Sequence, residues 1–228
     1  MSLTFYHSAY STSNVTVAIL AELTYPNPSS PTSTTKPLTI KRIDLSLPNR
    51  ETRTAEYLAV NPNGRVPAII HDGVSIWESA AITMYLGETF GVERDLYPQL
   101  GPQRGEAMKW IVWTNTTLTP AGGRLAAALP VGAPGGVEEG SQDAEKTEAS
   151  RKEEMAEEAM REINDALKIL DEGLKGREFL LGANHSLADT HIWCFVDWLT
   201  MMKVGLDEFE HVKTWMKRVG SRPALKDI

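Results

Sequence analysis

Two kinds of apolar spacing divide the chain. Up to about residue 90 the apolar runs are short and bounded by turn residues, whereas later ones are long and recur at helical spacing. Residues 3–7 are apolar and aromatic and predict a strand. Residues 8–14 are small and polar and predict a turn. Val15, Val17, Ala18, Ile19 and Leu23 then predict a helix starting near residues 11–14. Residues 38–45 predict a second strand and residues 54–60 a short helix. Two apolar runs, 66–70 and 74–77, flank His71-Asp72-Gly73, a hairpin signature. Behind Ser79, a residue that can cap, Ile82, Tyr85 and Leu86 predict a helix over residues 79–89. The order β-α-β-(α)-β-β-α describes a small mixed-sheet α/β unit.

No strand pattern follows. Helices are predicted over residues 106–129, bent at Pro120, over 143–175, over 186–204 and over 209–219. The long charged one carries Met155, Ala159, Ile163, Ala166, Leu167 and Leu170 on one face. Polar loops are expected over residues 24–37 and 130–141, rich in Pro, Ser and Thr or in Gly and Pro. The division is thus an α/β unit over 1–92, a Pro/Gly-bearing connector over 93–105 and an all-helical unit over 106–228.

Composition narrows the field. At about 150 residues per domain, 228 residues make one large domain or two small ones sharing an interface. Hydrophobic residues at 42% and charged residues at 23% sit near globular averages and argue against disorder. The net charge of −7 excludes a generic nucleic-acid or anionic-membrane binder, yet leaves room for one local basic pocket. No run reaches the roughly 20 apolar residues of a membrane helix, and Asp197 interrupts the strongest candidate. The N-terminus lacks the basic region of a signal peptide. A single cysteine, Cys194, cannot form an internal disulfide, so a reducing cytosol is expected. His185 and His191 lack a converging set of ligands, so no metal is expected.

The most specific stretch is Asn61-Pro62-Asn63-Gly64-Arg65-Val66-Pro67-Ala68-Ile69-Ile70, followed by Trp77-Glu78-Ser79-Ala80-Ala81-Ile82. In these residues the chain resembles the soluble, serine-type glutathione transferases, closest to fungal members. The resemblance spans nearly the whole chain. It implies a thioredoxin-like N-terminal domain joined to an all-α C-terminal domain, glutathione as co-substrate, and a homodimer. It also implies a cis Val66–Pro67 bond, whose outward-facing Val66 peptide groups would pair with glutathione as with an added strand. Ser79, where a helix begins, would take the γ-glutamyl carboxylate, since helix N-termini favour anions. Glu78 would meet the α-amino group. Arg65 would reach the glycyl carboxylate with a bidentate fork.

In the serine-type classes a hydroxyl between the first strand and first helix stabilises the glutathione thiolate. Ser11 is the match, with Ser13 and Asn14 as alternatives one turn away. A free thiol has a pKa of about 8.5. Ionising it at neutral pH needs a shift of roughly two units, or about 2.7 kcal/mol. One charge-assisted hydrogen bond contributes about 1.5–3 kcal/mol, and a helix N-terminus adds a few tenths to about 2, so one hydroxyl is sufficient. His7 reads as structural. The cysteine that thiol-reducing members carry at the helix start is absent.

In the helical unit, Trp110, Trp113, Thr114 and Thr117 lie on the helix that lines the electrophile pocket in relatives, and Tyr10 would stand beside the thiol. Ser186-Leu187-Ala188-Asp189 fits a capping box, in which losing Asp189 would cost about 0.5–2 kcal/mol. The expected activity is transfer of the glutathione thiolate to a small apolar electrophile, in detoxification. The rival expectations are a non-catalytic glutathione-binding regulator or carrier and a glutathione-dependent peroxidase.

Overall fold

The computed structural model describes residues 2–26, 38–129, 142–226 and 228. The loops expected over 24–37 and 130–141 lie outside the described residues, apart from 24–26. Strand β1 (Ser2–His7), helix α1 (Ser13–Thr24) and strand β2 (Thr39–Asp44) come first. A short α2 (Ala55–Leu58) leads to β3 (Ala68–His71), β4 (Val74–Trp77) and α3 (Ser79–Leu86). The sheet order is β2-β1-β3-β4. With α1 as crossover, β1 and β2 run parallel, whereas β3 and β4 form an antiparallel hairpin. Its turn residues Asp72 and Gly73 take φ of 49° and 79°, the left-handed pair that a two-residue hairpin requires. β3 begins at Ala68 rather than at residue 66, because Pro67 has no N–H to donate to a ladder.

Alternation along β1 buries Leu3, Phe5 and His7 on one face, where Val15 and Ile19 of α1 and Ile82 and Leu86 of α3 cover the sheet. The helical unit comprises α4 (Pro102–Trp113), α5 (Thr119–Ala128), α6 (Gln142–Leu174), α7 (Leu187–Met201) and α8 (Glu210–Gly220). α4 starts at Pro102, earlier than expected, since the first helical turn needs no proline N–H. The bend expected at Pro120 is instead a π turn over Thr114–Leu118, just ahead of it. Pro120 cannot donate to the carbonyl four residues back, and the preceding run of β-branched threonines and asparagine is a weak helix former.

α7 is the central pillar. Leu187, Ala188, Ile192, Val196 and Leu199 are fully or almost fully buried, and the helix packs on α1, α4 and α8. One continuous core runs from the sheet through α7 to Ile163, Leu167 and Leu170 of α6. Polar ties reinforce it: Arg222 grips the buried Glu22 of α1 through two bonds of 2.6 and 2.7 Å.

The N-terminus of α7 carries the expected capping box and adds further contacts to it. Asp189 Oδ2 accepts from the Ser186 N–H and from the Ser186 hydroxyl, both at 2.9 Å. Its Oδ1 accepts from the Leu180 N–H at 2.8 Å and Trp215 Nε1 at 3.0 Å. Burial pushes the Asp189 carboxyl up, against these hydrogen bonds, which favour its charged form. His185 bonds Thr190 through Nε2 at 2.9 Å, and burial, then Arg222, holds its pKa well below the usual range. Burial likewise holds His191 down at about 3.

Asp189→Ala strands the Leu180 and Trp215 N–H donors besides removing the cap on Ser186, so it is expected to cost at least about 3 kcal/mol in urea denaturation; a loss no larger than a simple cap would show that these donors find other partners. His185 and His191 are neutral in the folded chain but titrate near pH 6.5 when unfolded. Their contribution to stability is therefore full above that pH. It falls as pH drops from there toward the folded values, for His191 by about 2 kcal/mol between pH 7.5 and 5. His191→Gln should flatten the measured pH profile by about that share.

Candidate functional site

The strand register brings three loops to one end of the sheet. Tyr6 lies opposite Ala68, and Ala68 lies opposite Trp77. The segment after β1, the segment before β3 and the first residues after β4 therefore emerge side by side. These carry Tyr10 to Asn14, Arg65 to Pro67, and Glu78 with Ser79.

The middle loop is held from beneath. The Arg65 carbonyl accepts from the Tyr57 hydroxyl at 2.6 Å and from Asn61 Nδ2 at 2.7 Å. Burial pushes Tyr57 up to about 12, so it donates throughout the physiological range. Gly64 closes the turn at φ 60°, where an added Cβ would lie 2.8 Å from the Thr52 carbonyl. The Val66–Pro67 bond is cis, as the resemblance implies. The Arg65 side chain is exposed. The Thr12 hydroxyl donates to the Val66 carbonyl at 3.3 Å, linking the first loop to the second.

In the first loop the candidate hydroxyls separate. Ser13 is fully buried, accepts from the Ser8 N–H at 3.1 Å and sits 2.8 Å from His7 Nδ1. Burial, then Arg42, holds His7 below its usual pKa, and the Ser13 hydroxyl also donates to the Ser8 carbonyl at 2.9 Å. Ser13 therefore holds the loop together and is withdrawn as a contact to a ligand. Ser11 is only partly buried. Its oxygen accepts from the Ser13 N–H at 3.2 Å and lies 2.6 Å from the Ser13 hydroxyl, and its hydrogen can reach the Ser8 carbonyl at 2.7 Å. Asn14 is exposed at the start of α1.

At the third loop the capping expectation is corrected. Glu78, not Ser79, occupies the N-cap, and it does so at φ 71°, a left-handed value that a glutamate rarely adopts. This turns Glu78 outward and leaves Ser79 as the first residue of α3, buried, beside N–H groups that have no intrahelical partner. The Ser79 oxygen accepts from Asn115 Nδ2 at 2.8 Å.

The expected electrophile residues also divide. Trp110 is buried against Gly173 of α6, where an added Cβ would lie 2.6 Å from the ring, and Thr114 is buried with its hydroxyl on the Trp110 carbonyl at 2.9 Å. Both belong to the core. Trp113 stacks edge-on to Trp110 at 5.3 Å and lines a groove facing α6, away from the three loops. Tyr10 and Thr117 are exposed and free of such packing. Asn115, Thr12, Tyr57 and Asn61 were missed as site residues; the only signal for Asn115 was its place in a polar, weakly helical run. Among the described residues no group of three metal-ligating side chains converges.

Residues 36–88 match the family model of the glutathione S-transferase N-terminal domain and residues 127–223 that of its C-terminal domain. The chain is similar to glutathione S-transferase GstA of Escherichia coli O157:H7, 25% identical over 193 residues, covering 84% of this chain and 85% of that protein. It is 29% identical over 179 residues to glutathione S-transferase stcT of Emericella nidulans, covering 77% and 74% respectively. In fold it is similar to glutathione transferase URE2P6 from Phanerochaete chrysosporium, solved with oxidized glutathione. The TM-score is 0.77 at 24% identity, covering 99% of this chain and 93% of that one.

Proposed function

We propose that this chain, which belongs to the glutathione S-transferase family, uses Ser11 to ionise the thiol of bound glutathione and transfers the sulfur to a small apolar electrophile. The observation that carries the reading is the register of the sheet, which gathers a hydroxyl, an exposed peptide edge and a helix N-terminus at one end. Glutathione is a short peptide with a thiol at its centre and a carboxylate at each end. Its backbone pairs with Val66, its γ-glutamyl carboxylate meets Ser79 and the first N–H groups of α3, its amino group meets Glu78, and its glycyl carboxylate meets Arg65.

Ser11 needs one rotation to act. Its hydrogen points at the Ser8 carbonyl, and turning about its Cβ–Oγ bond directs that hydrogen at the sulfur. The Ser13 N–H continues to donate to the oxygen, which polarises the hydroxyl and strengthens it as a donor. The thiol proton leaves to water. The thiolate then forms a C–S bond, while a leaving group departs with its electron pair or an activated double bond takes up a proton. Tyr10 and Thr117 stand at the open side, where the electrophile enters. A single, half-buried Cys194, whose thiol is held protonated by its surroundings, supports a reducing cytosol as the setting. Among the described residues no helix is long and apolar enough to cross a membrane.

The groove between α4 and α6, about 600 Å³ and lined by Trp113, Lys168, Ile169 and Glu172, supports a homodimer, because the half-exposed Ile169 there is apolar surface that a second copy covers. Ile169→Glu should shift the mass in light scattering from dimer to monomer; a wild-type chain that is already monomeric would dispose of this partner.

For the chemistry, Ser11→Ala is expected to raise the pKa of the bound thiol by about 1–2 units, read by thiolate absorbance, and to lower kcat/KM about 10- to 100-fold at neutral pH. Ser13→Ala should instead lower stability by about 1–3 kcal/mol, by leaving His7 and the Ser8 N–H unpaired. Full activity in Ser11→Ala together with its loss in Asn14→Ala would move the role to Asn14. Binding without turnover on a broad set of electrophiles would favour a carrier.

A further inference from the structure

Four side chains from the two halves of the fold form one directed chain. Asn115, in the π turn after α4, presents Nδ2 to the Ser79 oxygen at 2.8 Å and Oδ1 to His191 Nε2, also at 2.8 Å. His191 Nδ1 lies 2.9 Å from the Thr83 hydroxyl, one turn along α3 from Ser79. His191 and Thr83 are fully buried, and Ser79 nearly so. The amide oxygen facing Nε2 needs a donor there, so His191 carries its proton on Nε2. Nδ1 is then an acceptor and takes the Thr83 hydrogen. Donation runs in one direction: Thr83 to His191, His191 to Asn115, Asn115 to Ser79.

That polarity matters because a serine hydroxyl has a single hydrogen. With one lone pair occupied by the Asn115 amide, the Ser79 hydrogen is not claimed by the chain. A flipped Asn115 amide would present oxygen to Ser79, take that hydrogen and turn a second acceptor toward an incoming anion. The His191 N–H holds the amide in this orientation, since a flip requires the imidazole proton to move to Nδ1 and the Thr83 hydroxyl to turn at the same time. We infer that Asn115 and His191 are positioning residues that commit the Ser79 hydroxyl to donate to the γ-glutamyl carboxylate, so that the helical half of the chain sets the glutathione affinity of the other half. This rests on the reading of Ser79 as the carboxylate's partner.

The test is calorimetric titration of the full chain with glutathione, with thermal melts as a fold check. Ser79→Ala should weaken binding roughly tenfold, the size of one charge-assisted hydrogen bond. Asn115→Asp keeps the shape but removes the donor, and should also weaken it roughly tenfold. In the Ser79→Ala background the same Asn115→Asp change should cost less than about twofold, since it acts through Ser79. His191→Gln, which keeps a donor, should bind within about threefold of wild type, whereas His191→Leu should weaken binding like Asn115→Asp. The glutathione KM should rise in the weakened variants with kcat changed less than about twofold. Normal affinity in Asn115→Asp, with Ser79→Ala impaired, overturns the positioning role and leaves the Ser79 reading intact. A loss from Asn115→Asp that persists undiminished without the Ser79 hydroxyl marks a direct charge effect and also overturns it. Normal affinity in Ser79→Ala removes the Ser79 reading and the inference with it.

Discussion

The Asp189 carboxylate, shut off from solvent at the foot of α7, gathers four donors from three parts of the helical half: the Leu180 N–H, the Ser186 N–H and hydroxyl, and the Trp215 indole. A buried carboxylate is tolerable only when its lone pairs are filled. Each donor is therefore fixed by the same atom pair that it satisfies. The result is a pinned helix start. α7 then has no freedom to slide or turn against α1 and α8, and everything projected from its first turns has a defined place.

His191 stands two residues along from Asp189, so that pinning extends to the ligand end of the sheet. Its ring spans the gap between α3 and the π turn after α4. The π turn is itself a consequence of Pro120, and it brings the Asn115 amide within reach of Ser79. A proline that cannot donate, a carboxylate that cannot be solvated and a histidine that cannot be charged thus act in series on one serine hydroxyl. None of the three touches the position of a ligand. Besides the continuous apolar core, two polar ties between the halves involve different helices. The grip of Arg222 on Glu22 binds α1 to the C-terminal segment, while the polar chain through His191 binds α3 to α4 and α7.

How much of this was legible in the sequence depends on the range of each contact. Elements fixed by local chemistry were readable: the hairpin from Asp72-Gly73, the turn at Asn61 to Gly64, the helix start at Ser186 with Asp189, and the first strand from the apolar run over residues 3–7. That Val66-Pro67 and Glu78-Ser79 emerge at one end of the sheet was readable because these residues lie close in sequence to the strands that carry them. The Asn115–Ser79 and Thr83–His191 bonds join residues 36 and 108 positions apart, and nothing local announces such a pairing. Trp110 and Thr114 misled for the opposite reason. A helix shows its periodicity in sequence but not which of its faces a neighbour covers, and here α6 covers the one that carries the tryptophans. Ser11 and Ser13 were inseparable by spacing, and only the three-dimensional position of His7 distinguishes the hydroxyl that is spoken for from the one that can turn.

Net charge is a poor guide to a site of this kind. The chain is acidic by seven charges, yet it is read as binding a peptide with two carboxylates. Long-range attraction would matter for an extended polyanion, whose many phosphates sum over a surface. For a small ligand the relevant quantity is the field within a few ångströms, where one guanidinium and the unpaired N–H groups of a helix N-terminus outweigh distant carboxylates that salt screens. The same locality governs the thiol. A serine is too weak a base to take its proton, but it need only favour the thiolate by a charge-assisted hydrogen bond once water has accepted that proton. On the reading proposed for Ser11, the chemistry therefore needs no reactive cysteine and no buried base at the site. What it does need is a hydroxyl free to rotate, which is why the Ser13–His7 pair, by filling every other demand in the loop, leaves Ser11 as the side chain able to respond.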